Sequence, residues 1–366
     1  MSLLNIVTIS DIHLGILDPE YMWDNLKDYF FKYCSENKPD IIVVVGDITD
    51  ERVSLNSTTA SVFHMFIDEL VKLDTIIVIV TGTLSHDDNQ INIFSHRICD
   101  KFRIYSKCTS DTILGLKMLF IPEEYMHDPD EYYKEFLDDK NSYDCVFGHG
   151  MFNHIAFYNK KKNIFRKLTS PMWDYVKHFK NIVKGFVNFG HVHTHSTLDK
   201  LDYNGSFGRY NHGEEEPKGF IDYVYDSEKR SVISKEFIVN EGAKVFKSIL
   251  ESRLPISRDL LMDRLNEEYS SSFKLRIVLD RDISDERKSD IMGFCKNNYN
   301  STVYKKFEKK NNLKETPSTL TGSEMVHNKY EDMDMIDATI EFIVEKHGIK
   351  IDRNHIHKLL NGEDNS

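Results

Sequence analysis

The chain has little cysteine, proline or tryptophan: five, eight and two residues among 366. Cys34, Cys99, Cys108, Cys145 and Cys295 are odd in number and form no CxxC pair, which excludes a disulfide framework or a zinc ribbon. Three of them border apolar runs and read as small buried hydrophobes, as suits a reducing compartment. No stretch reaches the roughly 18 uncharged apolar residues a membrane span needs. The first nine residues lack the basic segment and small-residue cleavage site of a secretory leader, so a cytoplasmic location is expected. Positive charge is also in deficit, with 47 Lys and Arg against 59 Asp and Glu. A formal charge of −12 argues against tight, unlocalised binding to nucleic acid. It leaves room for a local basic groove, because charges more than about 10 Å apart are largely screened at ~0.1 M salt. No internal repeat is evident.

What the chain does have is an ordinary globular composition, 40% hydrophobic and 29% charged, at a length that implies more than one domain. The first half alternates strand and helix patterns. Leu3 to Ile9, Ile41 to Val45 and Ile76 to Val80 are short apolar runs, the mark of strands covered on both faces. Between them, Met22, Leu26, Phe30 and Tyr33, then Val62, Phe66, Leu70 and Leu73, recur at helical spacing. From Leu114 onward short strands separated by polar stretches suggest a second sheet packed on the first, with Phe220 to Tyr225 and Ser231 to Ile238 among them. A strand at Phe273 to Leu279, a helix from Ser284 to Asn297 and a strand at Thr302 to Phe307 predict a small β-α-β module. Residues 311–324 read as a polar linker, and Met333, Ile336, Ile340 and Ile343 as one apolar helical stripe beyond it.

Several segments place an acid, a histidine or a small polar residue directly after an apolar strand. They are Ser10-Asp11-Ile12-His13, Gly46-Asp47-Ile48-Thr49-Asp50, Gly82-Thr83-Leu84-Ser85-His86-Asp87, Gly148-His149-Gly150 and Gly190-His191-Val192-His193. In layered α/β sheets the loops after strand ends converge on one rim. Asp and His together suit divalent ions such as Mn, Fe or Zn. Each segment alone is compatible with a turn, a cap or a satisfied buried histidine. The ordered set points to a metal site. A glycine just before Asp47, His149 and His191 permits close backbone approach.

In this order the motifs resemble the calcineurin-like metallophosphoesterases, over residues 3 to about 240. More narrowly, Tyr203-Asn-Gly-Ser206, Gly213-Glu214, Lys218-Gly219-Phe220 and the C-terminal additions resemble the nuclease subunits of SbcCD-type recombination-repair complexes, the phage members above all. The resemblance implies an αββα sandwich of two sheets flanked by helices. It divides the chain into a nuclease domain at 1–242, an α/β cap at 243–310, the linker, and an ATPase-binding helical tail at 325–366.

It also implies two divalent ions, manganese first and magnesium as the alternative. Asp11, His13 and His193 would hold one ion, His149 and His191 the other, and Asp47 would bridge them. His86 would serve the leaving oxygen, Asp87 would hold its ring in one tautomer, and Asp50 would orient other ligands. The family has Asn directly after the Gly and before this His. Here the turn is two residues longer, and the hydroxyl of Ser85 or Thr83, or a water, takes the amide's place; Ser85 is accordingly a candidate ligand.

The implied reaction is hydrolysis of DNA phosphodiesters, as an exo- and endonuclease. The alternatives are an intracellular phosphatase on the same fold and a non-catalytic scaffold. The implied partners are DNA, an SbcC-like coiled-coil ATPase and a second copy of the chain, with no membrane. Lys160, Lys161, Lys162, Arg166 and Lys167 form a basic run that could track phosphates, with Tyr158 or Phe165 able to stack on a base, and Lys305, Lys306, Lys309 and Lys310 could extend it.

Overall fold

The computed structural model describes residues 3–87, 90–124, 129–153, 172–269, 273–298 and 300–305. The basic run at 160–167, Lys306, Lys309, Lys310, the linker and the tail lie outside these residues. In chain order the strands are β1 (Leu3–Ile9), β2 (Ile41–Val45), β3 (Ile76–Val80), β4 (Phe102–Tyr105), β5 (Thr109–Ile113), β6 (Leu116–Ile121), β7 (Tyr143–His149), β8 (Met151–Phe152), β9 (Met172–Trp173), β10 (Val183–Gly190), β11 (Ser196–Leu198), β12 (Leu201–Tyr203), β13 (Gly219–Asp226), β14 (Ser231–Val239), β15 (Val245–Leu250), β16 (Phe273–Leu279) and β17 (Ser301–Lys305).

Two six-stranded mixed sheets face each other, in the orders β14-β13-β1-β2-β3-β4 and β11-β12-β10-β7-β6-β5. Strand alternation decides what each face covers. Ile41, Val43 and Val45 of β2 pack between the sheets with Met118, Phe120, Cys145 and Phe147, whereas Ile42 and Val44 face the helical layer with Phe30, Phe66 and Leu70. On the far side, Leu119, Val146, Val187 and Phe189 bury against Tyr133, Phe152, Trp173 and Phe179. The result is an α/β sandwich with apolar residues on both faces of both sheets. Among the described residues no helix is long and apolar enough to cross a membrane.

The first helical region runs through Pro19–Asn25, Leu26–Phe31 and Lys32–Asn37, the middle segment being π-helical. Asp18 caps its start, accepting from the Tyr21 amide at 2.9 Å. Cys34, Cys108 and Cys145 are buried free thiols, and burial pushes their pKa values up. One expectation is corrected. β13 and β14 do not join the second sheet but return to the first, β13 lying antiparallel on β1 with Ile6 opposite Tyr223. Ile221, Tyr223 and Tyr225 thereby turn their side chains into the layer between the sheets.

Residues 245–305 form a three-stranded parallel sheet, β15-β16-β17, with helices Arg258–Glu268 and Asp285–Asn297. It has its own apolar cluster, including Leu261, Leu265, Leu275, Ile277, Ile291 and Phe294. Ser284 caps the second helix by accepting from the Arg287 amide at 3.3 Å. The module is larger than the expected β-α-β unit by one strand and one helix.

Candidate metal centre

β1, β2 and β3 run parallel in one sheet, and β6, β7 and β10 run parallel in the other. Their C-terminal ends share one rim of the sandwich, and there the chemically active residues meet: Asp11 and His13 after β1, Asp47 and Asp50 after β2, Thr83 and His86 after β3, Glu123 after β6, His149 at the end of β7, and His191 and His193 after β10.

The backbone is bent sharply to bring them in. Asp11, His13, Asp47 and His191 have positive φ of 49°, 50°, 52° and 90°. Such residues cost energy and persist only where neighbours enforce them. Here the Asp11 amide donates to the Gly46 carbonyl at 3.1 Å and the His13 amide to the Asp47 carbonyl at 3.0 Å, so the loops after β1 and β2 brace each other. The His191 amide donates to Asp11 Oδ1 at 2.9 Å, joining the two sheets. Gly46, at φ 77°, could carry no side chain: a Cβ there would lie 2.2 Å from His149 Nδ1. At Gly82 a Cβ would lie 2.3 Å from Asp47 Oδ1.

Among the described residues, three groups of side chains bring donor atoms within 4.8 Å of one another and could hold a metal ion: Asp11, His13 and His193; Asp47, His149 and His191; and His13, Asp50 and His86. His149 is the most telling member. Its Nδ1–H donates to the Val45 carbonyl at 2.9 Å, which leaves Nε2 as the ring nitrogen that can take a proton or, in its place, a metal ion. That Nε2 is buried and makes no hydrogen bond. It lies 3.2 Å from Asp47 Oδ2, 3.7 Å from Glu123 Oε2 and 4.0 Å from Asp11 Oδ1.

A ring nitrogen surrounded by carboxylates is suited to a cation, a proton or a metal ion. Burial disfavours charge on this ring, yet the carboxylates of Asp47, Asp11 and Glu123 outweigh it and push the His149 pKa well up. Burial raises the Asp47 carboxyl, and His149, His13 and His86 overcome that and hold it below the usual carboxylate range. The donor set, imidazole mixed with carboxylate in a buried site, fits a divalent transition metal.

Other residues support this set. His13 Nε2 and His193 Nε2 are 3.0 Å apart, and His13 Nδ1 is 3.3 Å from Asp50 Oδ1. Glu214 Oε1 lies 3.4 Å from His193 Nδ1. Lys218, whose side chain is fully buried, contacts Glu214 Oε2 at 3.2 Å and donates to the His193 carbonyl at 2.8 Å. The Tyr210 hydroxyl sits 2.5 Å from the Ile12 carbonyl. His86 is half-buried, its ring edge-on to His13 at 4.7 Å, and its Nδ1–H donates to the Asp50 carbonyl.

Two expectations are corrected. Asp87 does not hold the His86 ring; that contact belongs to the Asp50 carbonyl. The buried Asp87 carboxylate instead accepts the amides of Gly82, Asp47 and Ile48 at 2.7, 3.0 and 2.9 Å, tying the β3 loop to the β2 loop. Burial and the charge of Asp47 push its pKa up. Ser85 is exposed, and it is Thr83 that reaches the cluster, its hydroxyl 3.2 Å from Asp47 Oδ2 and its amide donating to Asp47 Oδ1 at 2.7 Å. Thr83 directly follows Gly82, whereas Ser85 lies on the outside of the longer turn.

Glu123 was not among the residues the sequence singled out. It follows the same rule as the others, an acid after an apolar strand, but Pro122 separates it from β6 and no Gly-Asp or Gly-His pair marks it.

No family model matches the chain, and no curated protein matches it. Among solved structures, a hypothetical protein from Thermus thermophilus is similar to it at 11% identity, covering 64% of this chain and 97% of its own, with a TM-score of 0.35.

Proposed function

We propose that this protein is a two-metal phosphodiester hydrolase, a DNA nuclease of the metallophosphoesterase type that works as a subunit of an SbcCD-like complex. The observation that carries the reading is the pair of three-donor groups, Asp11–His13–His193 and Asp47–His149–His191, gathered on one rim with His149 Nε2 buried and unbonded between carboxylates. Bound there, two divalent ions, manganese before magnesium, would polarise the phosphoryl group and align the attacking and leaving oxygens.

The rest of the work falls to the chain. Asp47 lies closest to both groups, with Oδ2 3.2 Å from His149 Nε2 and 3.9 Å from His13 Nε2, and its charge spans them. The Asp50 carbonyl fixes His86 with Nδ1 as donor, so that Nε2 is the ring nitrogen left to pass a proton to the leaving oxygen. Glu214 and Asp50 hold the imidazoles of His193 and His13 in orientation. DNA as substrate, the 243–310 cap and an ATPase partner for the tail rest on the motif resemblance, and the basic run 160–167 as a phosphate track rests on its clustered Lys and Arg.

The test is a Mn²⁺-dependent assay of the full chain on linear DNA, bis(p-nitrophenyl) phosphate and p-nitrophenyl phosphate. DNA and the diester should be hydrolysed and the monoester spared. Cleavage of the monoester alone would make the protein a phosphatase, and no cleavage of any of the three, with metal bound, a scaffold.

A further inference from the structure

Glu123 occupies a place in the metal centre that no motif assigns to it. Its side chain is 2% exposed, and Oε2 lies 3.3 Å from His191 Nδ1 and 3.7 Å from His149 Nε2. It therefore adjoins ring nitrogens of two members of the Asp47–His149–His191 group. The Thr83 hydroxyl stands 2.9 Å from the same Oε2 and 3.2 Å from Asp47 Oδ2, so a single short side chain links the two carboxylates.

We propose that Glu123 is a direct ligand of the second metal ion and that Thr83 positions its carboxylate rather than ligating. The inference rests on the two-metal reading and goes further by assigning the fourth protein donor. Three observations favour Glu123 over the hydroxyls of the β3 turn. Ser85 is exposed. The Thr83 hydroxyl carries one hydrogen and is already within bonding distance of two carboxylate oxygens, the geometry of a donor. Glu123 Oε2 and His191 Nδ1, 3.3 Å apart, are close enough to serve one cation, and a carboxylate is a far better donor to a divalent ion than a neutral hydroxyl.

The consequence is electrostatic. With Glu123 the second position is faced by two carboxylates, its own and the shared Asp47. A site completed by a neutral oxygen would have only the shared one. Affinity for a divalent ion rises with the number of charged ligands, so the second ion here should be held tightly and should depend on that charge.

The experiment is calorimetric titration of Mn²⁺ into the metal-free full chain, with bound Mn²⁺ counted after dialysis. Wild type should bind two ions. Glu123→Gln keeps shape and an acceptor oxygen but loses the charge. It should bind the first ion with unchanged affinity and the second at least about tenfold more weakly, with the circular dichroism of the metal-free protein unchanged. Glu123→Ala should hold one ion after dialysis. Two ions bound with wild-type affinity by both variants would overturn the assignment and leave Glu123 as an acceptor for His191. Fewer than two ions on the wild type would remove the two-metal reading itself, whatever the variants do.

Discussion

Asp47→Ala should retain less than about a tenth of wild-type Mn²⁺-dependent hydrolysis of a small diester. The carboxylate belongs to the Asp47–His149–His191 group and also faces the other, with Oδ2 3.2 Å from His149 Nε2 and 3.9 Å from His13 Nε2. On the proposed two-metal reading, its removal would leave two cations facing each other with less negative charge between them, and metal catalysis is worth several kcal/mol of barrier. Each 1.36 kcal/mol is a factor of ten in rate, so even partial loss of that stabilisation gives a large defect. Asp47 also accepts the Thr83 amide, so the variant should be checked for an unchanged fold by circular dichroism alongside its metal content. A folded Asp47→Ala protein with more than a tenth of wild-type activity would contradict a shared bridging carboxylate.

His86→Ala should behave differently, losing roughly 10²–10⁴ in rate, the usual worth of a general acid, while both metals stay bound. The half-buried His86 ring is reachable from solvent and is anchored by the Asp50 carbonyl rather than by a carboxylate. An imidazole oriented in this way can give a proton from Nε2 to the leaving oxygen without holding a cation. The measurement pairs steady-state rates with Mn²⁺ content. Loss of an ion from His86→Ala would instead make His86 a ligand, as its grouping with His13 and Asp50 allows.

Much of the site was readable in the chain because the physics is local. β-branched runs such as Ile41 to Val45 announce buried strands, and the residue after such a run has to sit at a sheet end. That is why Asp11, His13, Asp47, His149, His191 and His193 could be placed on one rim before their contacts were known. What failed were inferences from adjacency along the chain. Asp87 follows His86 directly, yet its carboxylate turns inward to three backbone amides while the ring turns toward Asp50. Ser85 precedes His86 but faces solvent, whereas Thr83 packs onto Asp47.

Glu123 failed for another reason. Its role depends on β6 lying parallel beside β7, a pairing between Met118 and Cys145 that no single segment encodes. The return of β13 to β1 is of the same kind. A strand pattern says that a segment pairs, and the open edge of β1 decides with what. β15 was missed because Val245 to Leu250 mixes Lys247 and Ser248 into a half-exposed edge, which weakens its apolar signal.

The central claim is that two ions share this rim. Anomalous diffraction at the manganese edge from crystals of the full chain grown with Mn²⁺ tests it most directly. The account predicts two peaks about 3.5–4 Å apart. One should touch Asp11, His13 and His193, the other His149, His191 and Glu123, with Asp47 reaching both. A single peak, or two peaks that leave Asp47 touching only one of them, would contradict it.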